Sequence, residues 1–146
     1  MRILLAAMRY SYSIAFPPRE DGSYIIRPMV DIRIFGPQGE RNAKALIDSG
    51  ADFSIAHAEY AEKLGVEKQR DIEIVGVNRQ PLKGFVGVMA LHIEGIPGMR
   101  DVPFVFVDRP SEHIILGQEG FFDMHQIRFA RHQRMFEITK VRNKSS

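Results

Sequence analysis

Apolar and polar residues alternate through most of this 146-residue chain, which is the pattern of β-strands that bury one face. Val30, Ile32 and Ile34 share one face of a predicted strand, while Asp31 and Arg33 lie on the other. Further predicted strands cover residues 43–47, 71–75, 85–93, 102–107, 127–130 and 135–138. Gly- and Pro-containing breaks separate several of these runs, at 36–39, 95–98 and 109–111. The spacing predicts an all-β sandwich or barrel.

Two segments depart from this alternation and favour helix. Residues 56–64 contain good helix formers, with Ser54 as the predicted N-cap and Gly65 at the position that follows a helix. Residues 118–124, which follow Gly117, are a second and weaker helical candidate. We therefore expect one or two short helices beside the strands.

Composition limits the class of protein. The length is that of one domain, and 45% hydrophobic with 26% charged residues is typical of a soluble, core-forming chain. The net charge of +2 gives no support for nucleic-acid binding. The absence of cysteine excludes a disulfide scaffold, thiolate zinc sites and a cysteine nucleophile.

The ends of the chain differ from its middle. We expect residues 1–24 to form an N-terminal extension, residues 25–140 the domain, and residues 141–146 a polar C-terminal tail. The apolar run at residues 3–8 ends at Arg9, so it is shorter than a secretory signal or the ~20 residues of a membrane span. The chain itself is expected to have no membrane segment and to be cytoplasmic.

One segment carries a candidate chemical site. An apolar strand at residues 45–47 leads directly into Asp48, Ser49 and Gly50. An Asp in this position is commonly a turn former, because its side chain accepts hydrogen bonds from nearby amides. The functional interpretation is that Asp48 lies at a strand end, Ser49 supplies a hydroxyl, and Gly50 lets a backbone N–H approach the carboxylate.

These residues and a second segment resemble a known family. Residues 27–34 and 44–52 look like the first strands and the Asp-Thr/Ser-Gly-Ala-Asp loop of the retroviral-type, or retropepsin-like, aspartic proteases. Residues 113–117 are similar to the apolar-apolar-Gly element that packs beneath that loop. The resemblance covers roughly residues 25–138, and the paired motifs are far more specific than an isolated Asp-Ser-Gly.

The resemblance implies an all-β, single-domain, closed acid-protease barrel that acts as a homodimer. Asp48 would be the catalytic carboxylate, and Ser49, Gly50 and Gly117 would support its loop. The implied substrate-binding residues are Gly50, Ala51, Asp52, Val77, Asn78, Leu82 and Ile115. In retroviral enzymes an Arg after the downstream Gly pairs with the second loop acid, Asp52 here, whereas this chain has Gln118. A neutral amide can replace the hydrogen bond but not the charge.

The resemblance also implies a flap, a hairpin that closes over the substrate. It would lie between the strands around Val75 and Phe85, with residues 77–83 as its tip. Retroviral flaps are glycine-rich at the tip, whereas this segment has glycine only at its base, Gly76 and Gly84. An ordinary polar hairpin loop is the alternative.

The chemistry requires two carboxyl groups, one to take a proton from water and one to give a proton to the substrate carbonyl. Two carboxyls about 3 Å apart share one proton and fill both roles. The chain contains a single Asp-Ser-Gly, so the second group must be Asp48 of another copy. If the enzyme interpretation is right, a C2 homodimer follows. We expect a polypeptide substrate and no metal or other cofactor.

Three alternatives stay open. A catalytically silent protease-like domain could dimerise or bind peptides with the same fold. Asp48, Asp52 and His57 are competent metal ligands, although the five histidines show no paired spacing. A basic hairpin is more typical of a solvated face than of a phosphate-binding patch; its residues are Arg128, Arg131, His132 and Arg134.

Overall fold

The computed structural model describes residues 2–76, 78–109 and 113–143. Their strands are β1 (Arg2–Ser11), β2 (Ser13–Ala15), β3 (Ile25–Arg27), β4 (Met29–Gly36), β5 (Gly39–Ile47), β6 (Ser54–His57), β7 (Arg70–Val75), β8 (Pro81–Ile93), β9 (Arg100–Val107), β10 (Ile114–Leu116), β11 (His125–Ala130) and β12 (Met135–Asn143). One α-helix, α1 (Ala58–Leu64), and a 3₁₀ turn at Arg131–Gln133 complete the regular structure of these ranges.

Six strands close into a barrel, which confirms the predicted fold class. They pair in the order β4-β5-β10-β6-β9-β8, and β8 pairs again with β4 to close the circle. Strand β10 runs parallel to β5 and antiparallel to β6, and β6 runs parallel to β9. β7 lies outside the circle and pairs with β8 alone among the barrel strands.

The barrel core is built from the alternating residues that the sequence indicates. Ile32 and Ile34 are buried, whereas Asp31 and Arg33, which alternate with them, are exposed. Phe104 from β9 is fully buried in the same cluster. Burying a side chain of this size stabilises the fold by about 1.5–3 kcal/mol, so the register of each strand is strongly selected.

A second, three-stranded sheet has the order β1-β12-β11. Its first strand, β1, is formed by residues 2–11 of the segment assigned to an N-terminal extension, and β12 continues to Asn143. Tyr10 stacks on Phe136 with ring centroids 5.3 Å apart, and its hydroxyl donates a hydrogen bond to the carbonyl of Glu94, the residue after β8. Burial, with a contribution from Glu94, raises the pKa of Tyr10 to about 12, so the phenol remains a donor.

The helix at α1 is confirmed, but its predicted cap is wrong. His57, not Ser54, is the N-cap, and its Nδ1 accepts a hydrogen bond from the amide of Glu59 at 3.1 Å. Ser54 is instead buried at the start of β6. Gly65 has the left-handed conformation, with φ 69°, expected after a helix.

Residues 118–124 form turns, interrupted by a bridge between Gly120 and Gly117, so the second helix prediction is wrong. The amide of Phe122 reaches back to the carbonyl of Gly117, one residue farther than in an α-helix. Gly120 has φ 91°, a conformation that cannot continue a right-handed helix, and its amide donates to the Asp123 carboxylate.

A small hairpin of β2 and β3 precedes the barrel, with Ser13 opposite Arg27 and Ala15 opposite Ile25. It connects the end of β1 to the start of β4. In the parts of the chain described, no helix is long and apolar enough to cross a membrane.

Candidate active site

Asp48 directly follows β5, where two neighbouring segments hold the backbone. The amide of Ile47 donates to the carbonyl of Pro28 at 3.0 Å, and the amide of Asp48 donates to the carbonyl of Leu116 at 3.0 Å. Leu116 is also the register partner of Ile47 in the parallel β5–β10 pair. The position of Asp48 is therefore fixed from both sides by main-chain contacts.

A tight turn then orients the carboxylate. Its Oδ1 accepts a hydrogen bond from the amide of Gly50 at 2.9 Å, and the amide of Ala51 donates to the Asp48 carbonyl at 3.2 Å. A Cβ at position 50 would lie 3.3 Å from that same Oδ1, so glycine allows the close approach. Asp48 is half-buried and Ser49 is exposed, so the carboxylate is ordered and still open to water.

The segment after β10 packs directly beneath this turn. The amide of Gln118 donates to the carbonyl of Ala51 at 2.8 Å, and the amide of Glu119 donates to the carbonyl of Asp52 at 3.0 Å. A Cβ on Gly117 would lie 2.3 Å from the carbonyl oxygen of Phe53, which leaves no space for a side chain. The downstream glycine motif and the Asp48 loop thus form one interlocked unit.

Ser54 is a supporting residue whose place in this unit the sequence did not reveal. It is fully buried, and its hydroxyl donates to the carbonyl of Glu119 at 2.8 Å and accepts from the amide of Gly117 at 3.2 Å. A hydroxyl that satisfies two buried backbone groups holds the two segments together. The sequence held one indication that Ser54 is buried: it lies two residues before the apolar Ala56, on the same face of β6.

Gln118 contacts the loop in a different way from the expected pairing with Asp52. Its Nε2 donates to the carbonyl of Ser49 at 2.8 Å. The side chain therefore ties down the residue next to Asp48, while Asp52 remains exposed.

The hairpin expected to form a flap is present, although its loop is shorter than predicted. Strands β7 and β8 pair as far as Val75 and Pro81, so residues 76–80 connect them and Leu82 belongs to a strand. Asn78 is exposed, and its Oδ1 accepts a hydrogen bond from the amide of Gln80 at 3.2 Å. The predicted site residue Val77 lies outside the described part of the chain. Gly84 lies within β8, where a Cβ would be 2.4 Å from the carbonyl oxygen of Phe106.

A second apolar cluster joins this hairpin to the strand that follows the Asp48 loop. Its buried centre is Val86, Val105 and Val107. Partly buried residues pack on it from two directions: Ile72, Ile74 and Leu82 from the hairpin, and Phe53 and Ile55 from the loop side. Ile115 pairs with Ile55 across β10 and β6, so two predicted substrate-binding residues, Leu82 and Ile115, adjoin one apolar surface.

The alternative metal set is not assembled. His57 lies at the opposite end of β6 from the Asp48 loop, caps α1, and has its Nε2 3.7 Å from Oδ1 of Asp108. Among the residues described, no group of three or more His, Asp and Glu could hold a metal ion.

A surface pocket of about 490 Å³ lies apart from this loop, on the outer face of β4, β5 and β8. Its lining includes Asp31, Arg33, Lys44 and His92, and Lys44 is paired with Asp31 at 2.9 Å. Because its lining contains no residue of the Asp48 loop, this pocket does not form part of the candidate site.

The barrel and its Asp-Ser-Gly loop together define the single-domain, retropepsin-like aspartic protease fold. The family described as gag-polyprotein putative aspartyl protease matches residues 37–121, and the chain belongs to this family. The match includes both the Asp48 loop and the Gly117 segment.

Two solved protease structures are similar to this chain. The retropepsin-like aspartic protease from Rickettsia conorii has a TM-score of 0.55 and 12% identity, and the alignment covers 97% of this chain and 95% of that one. The EIAV protease in complex with the inhibitor HBY-793 has a TM-score of 0.48 and 22% identity, covering 63% of this chain and 82% of that one. At 12% identity, the likeness to the Rickettsia conorii protease establishes the fold alone. No curated protein sequence matches the chain significantly.

Proposed function

We propose that this protein is an aspartic endopeptidase in which Asp48 of two identical chains forms the catalytic dyad. The observation that carries the proposal is the Asp48 carboxylate itself. It is held by the Gly50 amide at 2.9 Å, at a strand end braced by Leu116, and it remains accessible to water. Membership of an aspartyl protease family supports the same chemistry.

The proposed reaction uses one proton shared by the two carboxyl groups. One Asp48 is ionised and takes a proton from water, and the water oxygen bonds to the scissile carbonyl carbon. The other Asp48 donates its proton to the carbonyl oxygen. The carboxyl group that took the proton from water then gives it to the amide nitrogen, while the other, now ionised, takes a proton from a hydroxyl of the tetrahedral intermediate. The C–N bond breaks, the products are an acid and an amine, and the two carboxyl groups again hold one proton. In each chain the Gly50 amide keeps one carboxylate oxygen in a fixed position throughout.

The proposed substrate is an unfolded or extended polypeptide segment that lies along the loop. Ala51 and Asp52 directly follow Gly50 and would contact its backbone. The hairpin of β7 and β8 would cover it as a flap, with Asn78 in the covering loop. The apolar cluster that includes Leu82 and Phe53 supports a preference for apolar substrate side chains.

The test is cleavage of an unstructured polypeptide by the wild-type protein and by Asp48→Asn. The variant keeps the size of the side chain and a carbonyl acceptor, so the fold is retained. We expect the cleavage rate to fall by at least about 10²–10⁴-fold, the usual contribution of acid–base catalysis. Asp101→Asn, an exposed carboxylate on β9, is the matched control and should cleave at the wild-type rate. Cleavage that survives in Asp48→Asn would contradict the proposal.

The alternative function is a silent protease-like domain that binds peptides or dimerises. The observation that favours it is Gln118, which bonds Ser49 and leaves Asp52 without the charged partner of the retroviral enzymes. Under this alternative the wild-type protein binds the polypeptide but does not cleave it, and Asp48→Asn binds equally well.

A further inference from the structure

The hairpin of β2 and β3 has one apolar face that is open to solvent. Ile14 lies opposite Ile26 in the antiparallel pair, and Phe16 and Tyr24 lie just beyond the paired residues, Phe16 after β2 and Tyr24 before β3. Ile14 is 52% exposed, Phe16 73% and Tyr24 46%. The rings of Phe16 and Tyr24 contact each other edge to face, with centroids 5.7 Å apart. These four residues are called here the hairpin patch.

A hairpin this small gains little stability from its own contacts. Each strand has three residues, and the sheet contains only this pair. An isolated two-stranded hairpin is at best marginally stable in water, and contiguous exposed aromatic and aliphatic side chains commonly mark an interaction surface. The hairpin patch therefore has the properties of a surface that another molecule covers.

The chain passes from the hairpin into the barrel beside the Asp48 loop. After β3 comes Pro28, whose carbonyl accepts the hydrogen bond from the Ile47 amide, and Ile47 directly precedes Asp48. Met29 at the start of β4 pairs with Leu46. A chain spans at most about 3.6 Å per residue, so Tyr24 lies within about 15 Å of Pro28.

We infer that the hairpin patch packs against a second copy of this chain and forms part of the dimer interface. The inference rests on the proposed function, because a dyad of two Asp48 residues places the two-fold axis between them. Surfaces next to Asp48 in one copy then face the other copy, and in a C2 dimer the same patch contributes twice. The second copy also supplies the carboxyl group without which the site is incomplete.

Sedimentation equilibrium of the full chain over a range of concentrations tests this inference without relying on catalysis. The double variant Phe16→Ser, Tyr24→Ser removes both rings from each of the two patches. We expect its dimer dissociation constant to be at least about tenfold higher than that of the wild type. Met99→Ser is the matched control: it removes an apolar side chain that is 58% exposed, in the segment between β8 and β9, and its dissociation constant should be that of the wild type.

A conservative variant separates loss of the interface from loss of folding. Phe16→Leu keeps an apolar side chain, so its dissociation constant should lie between those of the wild type and the double variant. The circular dichroism spectrum and melting temperature of each monomer, measured below the dissociation range, should be unchanged. A double variant that dimerises as tightly as the wild type would overturn the inference.

The outcomes also separate this inference from the proposed function. If the hairpin variants weaken the dimer but the wild type cleaves no polypeptide, the interface stands and the enzymatic proposal fails. If Asp48→Asn abolishes cleavage while the hairpin variants leave the dimer unchanged, the enzymatic proposal stands and the hairpin patch has another occupant, such as the substrate. A wild type that stays monomeric at every concentration would overturn both.

Discussion

At the scale of single residues, the Asp48 loop is shaped by two glycines at which an added side chain would crowd its neighbours. A Cβ on Gly50 would lie 3.3 Å from the Asp48 carboxylate, and one on Gly117 would lie 2.3 Å from the carbonyl oxygen of Phe53 and 2.6 Å from that of Ala51. The lack of a side chain at position 50 lets its amide approach the Asp48 carboxylate, and the lack of one at position 117 lets the loop pack on the segment below it. The precision of the site thus rests on backbone packing.

Gly117→Ala should therefore destabilise the protein and disturb the site. The added methyl group meets main-chain oxygens that cannot rotate away, which is expected to cost about 1–3 kcal/mol of unfolding free energy. Gly76→Ala is the matched control, because its nearest neighbour would be the Asn78 side chain at an ordinary 3.5 Å. Urea unfolding of both variants measures the difference, and equal stability would contradict the close packing described here.

Ser54→Ala should also lower stability, for a different reason. The variant leaves the Gly117 amide and the Glu119 carbonyl without the hydroxyl that joins them, and each unsatisfied buried group costs about 1–3 kcal/mol. Ser11→Ala, at an exposed serine, should have almost no effect. A melting temperature of Ser54→Ala equal to that of Ser11→Ala would show that the hydroxyl does not support the loop.

The sequence identified Asp48 and Gly117 but not the role of Ser54. Asp48 and Gly117 belong to short motifs whose order and separation carry information. Ser54 acts through the backbones of Gly117 and Glu119, which are 63 and 65 positions away in the sequence. Nothing in the sequence around Ser54 indicates these partners. Its nearness to a helical pattern instead favoured an N-cap, a position that His57 occupies.

At the scale of secondary structure elements, predictability follows how each strand buries its residues. β4 alternates clearly because one face packs into the barrel and the other meets solvent. β6 and β10 have four and three residues, too few for a period to be recognised, yet they position the Asp48 loop. Strand β1 was not predicted from the sequence, because its pairing with β12 depends on residues at the other end of the chain.

Strand β11 carries a buried histidine that should make stability depend on pH. His125 stacks on Phe121 with centroids 4.7 Å apart, and its Nδ1 lies 2.8 Å from the Phe121 carbonyl oxygen. Burial lowers its pKa below 6.5; Arg100 and Lys140 also lower it, while the Phe121 carbonyl and Asp123 oppose the shift. The folded state therefore binds fewer protons than the unfolded state.

The free energy of unfolding should be greatest above the unfolded pKa of about 6.5 and should fall as the pH drops from there toward the folded pKa. His125→Gln should flatten this dependence, because the variant has no proton to gain in either state. His132→Gln, at an exposed histidine, should keep the wild-type slope. Urea unfolding between about pH 5 and 7 measures all three slopes, and identical slopes would contradict the assignment to His125.

At the scale of the whole molecule, one barrel presents one Asp48, whereas the chemistry needs two carboxyl groups. Under the proposed mechanism, the fold of one chain supplies half of the site and a second copy supplies the other carboxyl group. The sequence could predict this requirement from the single Asp-Ser-Gly. It could not predict the hairpin patch, because its residues come together only through the pairing of β2 with β3 and the contact between the Phe16 and Tyr24 rings.

The rate of cleavage should have a bell-shaped dependence on pH, on the acidic side. Only the pair of Asp48 carboxyls with one shared proton is active, so the rate falls when both are protonated and again when both are ionised. Loss of stability through His125 adds to the decline at low pH. Initial rates in acidic to neutral buffers, with and without a chelator, provide the test. Chelator-sensitive activity that peaks at neutral or alkaline pH would contradict a carboxylate dyad.

The most direct test of the shared dyad is a subunit-mixing experiment. Asp48→Asn protein is added to a fixed amount of wild type above the dissociation range, with an inert carrier protein as the control. Mixed dimers contain one Asp48 and should be inactive, so activity per wild-type chain should fall to roughly half at equal amounts and decline further with excess variant. Activity per wild-type chain that stays constant at every ratio, once exchange of subunits is complete, would show that each chain works alone and would contradict the account.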